Sequence, residues 1–129
     1  MDAAKRFEDL LIWQKSRILS NEIHAIFKEK YSFSERALSS QIIRSSASIM
    51  DNIAEGFERG GNKEFLQYLW ISKASAGECR SQLYRALDCG IINSQQFDKL
   101  KSESELLSIG IFRLIFKLKK SDFKGQKFQ

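Results

Sequence analysis

Proline is absent from all 129 residues. No helix in this chain therefore loses a backbone N–H or meets a pyrrolidine ring, and long uninterrupted helices are permitted. Histidine is nearly absent too. His24 is the only one, and the residue three before it is Asn21. A dimetal bundle site needs a Glu-x-x-His pair on each of two helices, so that site is excluded, as is an ordinary Ser–His or Cys–His nucleophilic triad. Long apolar runs are missing, which removes a membrane-spanning helix. The first twenty residues lack the basic-then-apolar order of a secretory leader. The two cysteines, Cys79 and Cys89, fall on one predicted helix. Ten residues of helix is about 15 Å, too far for a disulfide between them. Reduced thiols and a cytoplasmic setting are expected.

Positive charge is present but unevenly placed. Residues 113–129 hold six basic side chains (Arg113, Lys117, Lys119, Lys120, Lys124, Lys127) against Asp122 alone. The other 112 residues hold fifteen of each sign, so the whole net charge of +5 sits at the C-terminal end. Localised charge of this kind suits an anionic partner.

The apolar spacing is helical throughout. Ile12, Ser16, Leu19, Ile23 and Ile26 step by 3 and 4, widened by Leu11, Trp13 and Phe27, and predict a first helix over 8–30. His24 lies on its polar face. Ser32 followed by Glu35 spells a capping box opening a helix over 34–57, with Gly56 and Gly60-Gly61 read as its end. Its core row is Leu38, Ile42, Ser45, Ile49, Ile53 and Phe57. Asn62 is taken as the cap of a helix over 62–89 whose seam is Phe65, Leu69, Ser72, Ala76, Cys79, Leu83 and Ala86. The small residues of 72–77 suggest a close helix–helix approach. Ser94 is taken to cap a helix over 94–120 with Phe97, Leu100, Ser104, Leu107, Ile111, Leu114 and Leu118 inward. Residues 121–129 are expected as a flexible basic tail. One domain over 1–129 follows: an all-α, up-down-up-down antiparallel four-helix bundle.

Two features exceed what a core requires. The first is a polar row on the second helix, Gln41, Arg44, Ser48, Asn52, Glu55 and Arg59. It reads either as a solvated face or as a partly buried hydrogen-bonding seam. Antiparallel pairing with the third helix puts Arg44 opposite Ser75 and Glu78, so an Arg44–Glu78 ion pair with Ser48 and Ser75 bonded beside it is expected. Glu55 and Glu78 fall at different heights, which argues against an acid–base pair, and no catalytic or metal-binding residue is assigned. The second feature is a surplus apolar row, Ile109, Phe112 and Phe116, which suggests burial between subunits.

Several segments occur in a recognisable order: Leu10-Leu11-Ile12-Trp13-Gln14-Lys15-Ser16, Gln41-Ile42-Ile43-Arg44-Ser45-Ser46, and Ser48-Ile49-Met50-Asp51-Asn52-Ile53-Ala54-Glu55-Gly56. Lys63-Glu64-Phe65-Leu66 and Ser75-Ala76-Gly77-Glu78 follow them. In these the chain resembles the four-helix-bundle family of proteins encoded within intervening sequences of bacterial 23S ribosomal RNA genes. That family is similar to the accessory variability protein of diversity-generating retroelements, a basic, barrel-shaped pentamer that works with a reverse transcriptase. The resemblance implies a homo-oligomer, a pentamer by preference, and contact with RNA or DNA or with a nucleic-acid enzyme. It carries no catalytic residue and no cofactor.

The function expected is a non-enzymatic scaffold or accessory protein that binds nucleic acid, structured RNA above all. The six basic residues of 113–129 would meet phosphates, with Phe112, Phe116, Phe123 and Phe128 available for stacking. The alternative is a protein-interaction adaptor docking a partner such as a polymerase. Association with a membrane surface ranks lower, and enzyme activity last.

Overall fold

The computed structural model describes residues 4–29 and 32–128, with the side chains of those residues other than 33, 34 and 122–128. Four helices follow one 3-10 turn: α1 (Leu11–Phe27), α2 (Phe33–Glu58), α3 (Asn62–Asp88) and α4 (Ser94–Phe128). The described residues contain no strand. Helix α2 packs on α1 and α3, α3 packs on α4, and α4 closes against α1. Cross-helix contacts run in opposite numerical order, as in Gln41–Arg85 and Ser48–Ser75 for α2 and α3. Tyr84–Phe97 and Trp70–Phe112 show the same for α3 and α4, and Glu22–Lys99 fits it for α1 and α4. Sequential neighbours are thus antiparallel, and the bundle is up-down-up-down.

The core is what the 3-and-4 spacing demands. Leu19, Ile23 and Phe27 meet Leu38, Ile42, Ile49 and Ile53 from α2, together with the whole expected α3 row. Phe97, Leu100, Leu107, Ile111 and Ile115 close it from α4. Burial of each large aliphatic side chain contributes about 1.5–3 kcal/mol. Ser16, Ser45, Ser72 and Ser104 occupy apolar positions and are buried, yet each hydroxyl has an acceptor. Ser16 and Ser104 donate to the carbonyls of Trp13 and Lys101, three residues back, at 2.8 Å.

Helix ends differ from expectation where a local alternative wins. Asp9 accepts the Arg6 N–H at 3.2 Å and Leu10 is extended, so a 3-10 turn over Phe7–Asp9 precedes α1, which begins at Leu11. Helix α1 stops at Phe27, short of residue 30. The Ser32–Glu35 capping box forms as expected. Helix α2 runs through Gly56 to Glu58, and Gly60, with φ of +83°, supplies the left-handed turn that follows. Gly56 is not a helix end but a buried contact point. A Cβ there would lie 2.6 Å from Tyr68 Cβ and 3.1 Å from Phe65 Cδ1. The cap of α3 is Gly61, with Asn62 its first residue. For α4, Asn93 rather than Ser94 is the capping side chain. Asn93 Oδ1 accepts the Gln96 N–H at 2.8 Å, and Gln96 Oε1 accepts the Asn93 N–H at 2.9 Å. Ser94 has Phe97 three residues on and cannot form that reciprocal pair. Residues 121–128, expected as a tail, continue α4 to Phe128.

Candidate nucleic-acid interface

The polar row on α2 is a seam against α3. Its buried centre is Ser45, which donates to Gln82 Oε1 at 2.6 Å and lies 3.2 Å from the Ile42 carbonyl. Gln82 Nε2 passes the connection to Glu78 at 3.3 Å. One turn along, Ser48 and Ser75 share a 2.9 Å bond, and Asn52 Nδ2 donates to Ser48 Oγ at 2.9 Å. Ser72 donates across the helices to the Ile49 carbonyl at 2.7 Å. At the exposed ends Gln41 accepts from Arg85 at 3.0 Å, and Arg59 bridges Glu55 and Tyr68 at 2.9 Å each.

The Arg44–Glu78 ion pair is not part of this seam. Both residues are exposed, and no ion pair joins them. Glu78 accepts from Gln82 of its own helix, and the α2 residue that Gln82 meets is Ser45 rather than Arg44. The serine half of the expectation forms and the charged half does not. Sequence spacing placed Ser72 in the α3 seam but did not single out Gln82 or Arg85, because helix periodicity does not show which partner row faces the seam. The small segment 72–77 is only partly an interface. Ser72 and Ser75 bond to α2 and Ala76 is buried, while Ala74 is exposed and Gly77 has open space around it.

The seam has the chemistry of a structural lock. Glu55 is held by Arg59 and Glu78 by Gln82, so the two carboxylates do not converge. Burial pushes the Cys79 thiol up to about 12, against a smaller opposing effect of the Ser45 hydroxyl, so this sulfur stays protonated. Among the described residues, no group of three or more His, Cys, Asp or Glu side chains is placed to hold a metal ion. No helix among the described residues is long and apolar enough to cross a membrane.

The surface formed by α3 and the C-terminal half of α4 is different. Ile109, Phe112 and Phe116, the surplus apolar row, are 47%, 47% and 52% exposed. Phe112 does not stand alone. It meets Trp70 of α3 edge to face, with centroids 6.3 Å apart, and Ile71 is exposed beside it in sequence. Lys119 Nζ lies 5.3 Å from the centre of the Trp70 ring, and Lys120 Nζ 4.8 Å from that of Phe116. Arg113 and Lys117 are exposed on the same helix. Lys117 lies at the rim of an apolar recess of about 480 Å³ floored by Leu10, Phe57, Phe65 and Leu114. A few cations on other faces are matched, Arg59 by Glu55, Lys99 by Glu22 and Glu103, and Lys101 by Glu105, while, among the described residues, Lys28, Arg36 and Arg44 are not. Among the described residues, Arg113, Lys117, Lys119 and Lys120 have no such partner. The side chains of Lys124 and Lys127, and of Phe123 and Phe128, lie outside the described residues.

Aromatic faces overlain by unpaired ammonium groups offer two things to a polynucleotide: surfaces on which bases stack and charges that neutralise phosphate. Sequence reading found the α4 half of this surface. Trp70 was missed, because only the packing of α3 on α4 brings it to Phe112 and Lys119.

Fold and seam together define an antiparallel four-helix bundle with a hydrogen-bonded joint between its central helices. The chain belongs to the 23S rRNA-intervening sequence protein family, whose model matches residues 8–112. The match ends one residue before Arg113, so all six basic residues of the C-terminal segment lie beyond it. A solved structure from Bacteroides thetaiotaomicron, described as a protein of unknown function from the S23 ribosomal protein family, shares the fold. It superposes with a TM-score of 0.75 at 24% identity, over 81% of this chain and 98% of its own. No curated protein matches the sequence.

Proposed function

We propose that this protein is a non-enzymatic RNA-binding scaffold or accessory protein, and that it contacts structured RNA through the α3–α4 surface. One observation carries the reading: Lys119 and Lys120 rest on the exposed rings of Trp70 and Phe116, with no carboxylate paired to either among the described residues. A base stacking on Trp70 would displace the Lys119 ammonium toward the phosphate chain, so one rearrangement satisfies both groups. The free cysteines Cys79 and Cys89 suit a reducing, cytoplasmic setting.

The test is fluorescence anisotropy of a labelled structured RNA at two salt concentrations, comparing the full chain with Lys119→Gln/Lys120→Gln and Trp70→Ala. Each lost phosphate contact should flatten the logarithmic salt dependence by about 0.7–0.9. Loss of the stacking ring should cost about 1–3 kcal/mol of binding. Absence of binding at low salt overturns the reading and leaves the adaptor alternative, in which a protein such as a polymerase is the partner.

The exposure of Ile109, Phe112 and Phe116 also supports self-association through this row, which would leave Trp70 and the cations, rather than Phe112 and Phe116, to meet RNA. A ring of five is the arrangement the family resemblance implies. Copies in a ring would present their cations repeatedly and raise avidity. Sedimentation of the full chain and of Ile109→Lys tests it. A wild-type monomer at all concentrations would end the idea.

A further inference from the structure

At the opposite end of the bundle from the basic terminus, a pocket of about 380 Å³ opens between the end of α1 and the beginning of α2. Three cations line it: Lys28, Arg36 and Arg44. No carboxylate lines it, and none of the three makes an ion pair among the described residues. Arg36, Ser40 and Arg44 recur every fourth residue, so one edge of α2 carries charge, hydroxyl and charge along the pocket. Phe27 and Ile43 supply an apolar wall.

The remaining lining residue is Ser39. Its residue surface is 4% exposed, and its Oγ is the one buried side-chain polar atom among the described residues without a hydrogen-bond partner. Every other buried serine has found an acceptor. Ser16, Ser46 and Ser104 bond the carbonyl three residues back, Ser72 bonds the Ile49 carbonyl across the helices, and Ser45 reaches Gln82. A buried hydroxyl left unpaired is costly. Three exposed cations lining one pocket that no carboxylate lines attract an anion. An oxyanion with several acceptor oxygens suits both the charge and the unpaired hydroxyl.

We propose that this pocket binds a phosphomonoester. Three cations favour the near-dianionic monoester over the singly charged diester of a polynucleotide backbone. Guanidinium forks match phosphate oxygens, Ser40 donates to a remaining one, and Ser39 Oγ, buried in the free protein, reaches another by turning about χ1. The Phe27–Ile43 wall is an apolar surface for the group that carries the phosphate. Free 5′-mononucleotides and the 5′-phosphorylated end of an RNA strand share this chemistry. The site is separate from the α3–α4 surface and does not depend on it.

The experiment is a ¹H–¹⁵N NMR titration of the full chain with inorganic phosphate, a 5′-mononucleotide, and one short RNA with either a 5′-phosphate or a 5′-hydroxyl. Lys119→Gln/Lys120→Gln is run in parallel, so that RNA contacts on α4 do not mask the pocket. Saturable shifts at the amides of Lys28, Ser39, Ser40 and Arg44 are expected with the mononucleotide, and with the phosphorylated RNA more than its hydroxyl twin if strand ends fit. Arg36→Gln/Arg44→Gln should weaken affinity by about tenfold or more. Both arginines are exposed, so this variant keeps its fold, which circular dichroism checks. Ser39→Ala separates ligand binding from structure: the free protein should melt no lower than wild type, while mononucleotide affinity falls. Lack of saturable shifts with every phosphate probe overturns the proposal. So do shifts that the arginine double variant leaves unchanged, or a lowered melting temperature for Ser39→Ala with unaltered affinity.

Discussion

At Gly56 a hydrogen atom in place of a methyl group sets how near two helices lie. The site is buried, and the nearest obstacle to a Cβ is Tyr68 Cβ at 2.6 Å, an atom too close to its backbone to swing aside. Gly56→Ala should therefore push α2 from α3 and cost about 1–3 kcal/mol, read as a lowered urea midpoint with an unchanged slope. The two cysteines give a second contrast. Cys79 is fully buried with its thiol raised to about 12, whereas Cys89 is exposed at the end of α3. A thiol raised this far remains protonated through neutral pH and loses its proton only as pH approaches that value. One equivalent of thiol should therefore react with a chromogenic disulfide in native protein at pH 8, and two after denaturation. Fast labelling of both in the native state would contradict the burial of Cys79.

Between elements, the strongest joint is the one linking α2 to α3. Ser45 donates to Gln82 in a buried setting, so Ser45→Ala strands the amide oxygen of Gln82 and should cost about 1–3 kcal/mol. Gln82→Leu strands nothing of comparable polarity, since Ser45 keeps the Ile42 carbonyl at 3.2 Å. Combining the two should cost less than the sum of the single changes, a coupling that chemical denaturation of all four proteins would measure. The elements themselves were legible in the sequence. Every expected core position on α3 is buried, because the 3-and-4 spacing of Phe65 to Ala86 has one helical solution. What spacing did not show is which rows meet. Leu11, counted with the first helix's apolar stripe, is 60% exposed, and Ile115, left out of the fourth helix's row, is buried. Gly56 looked like a terminator because glycine serves both as a helix end and as a contact point, and only the position of Tyr68 separates the two. Half of the candidate RNA surface was hidden for the same reason, since Trp70 and Lys119 are far apart in sequence and adjacent only after α3 packs on α4.

For the molecule as a whole, charge and fold are distributed differently. The family match and the described core end together near Phe112 to Leu118, whereas α4 runs on to Phe128 and carries the excess positive charge with it. The two anion-seeking surfaces sit at opposite ends of the bundle: the α4 terminus beside the α2–α3 turn, and the Lys28–Arg36–Arg44 pocket beside the α1–α2 turn. A single strand gripped at both ends would have to span the length of α2, and 26 residues of helix is about 39 Å. The order in which the helices pack has a further consequence, one of rate. Each helix lies antiparallel to the next across a short turn, so few contacts require distant parts of the chain to meet before anything is gained. Such low-order topologies fold in about microseconds to milliseconds. With no proline in the chain, no fraction of unfolded molecules waits on a slow isomerisation. Stopped-flow refolding of a dilute sample should recover its full amplitude in the fast phase whatever the delay between unfolding and refolding. A phase lasting tens of seconds would have to come from assembly of copies, and it alone would quicken with protein concentration.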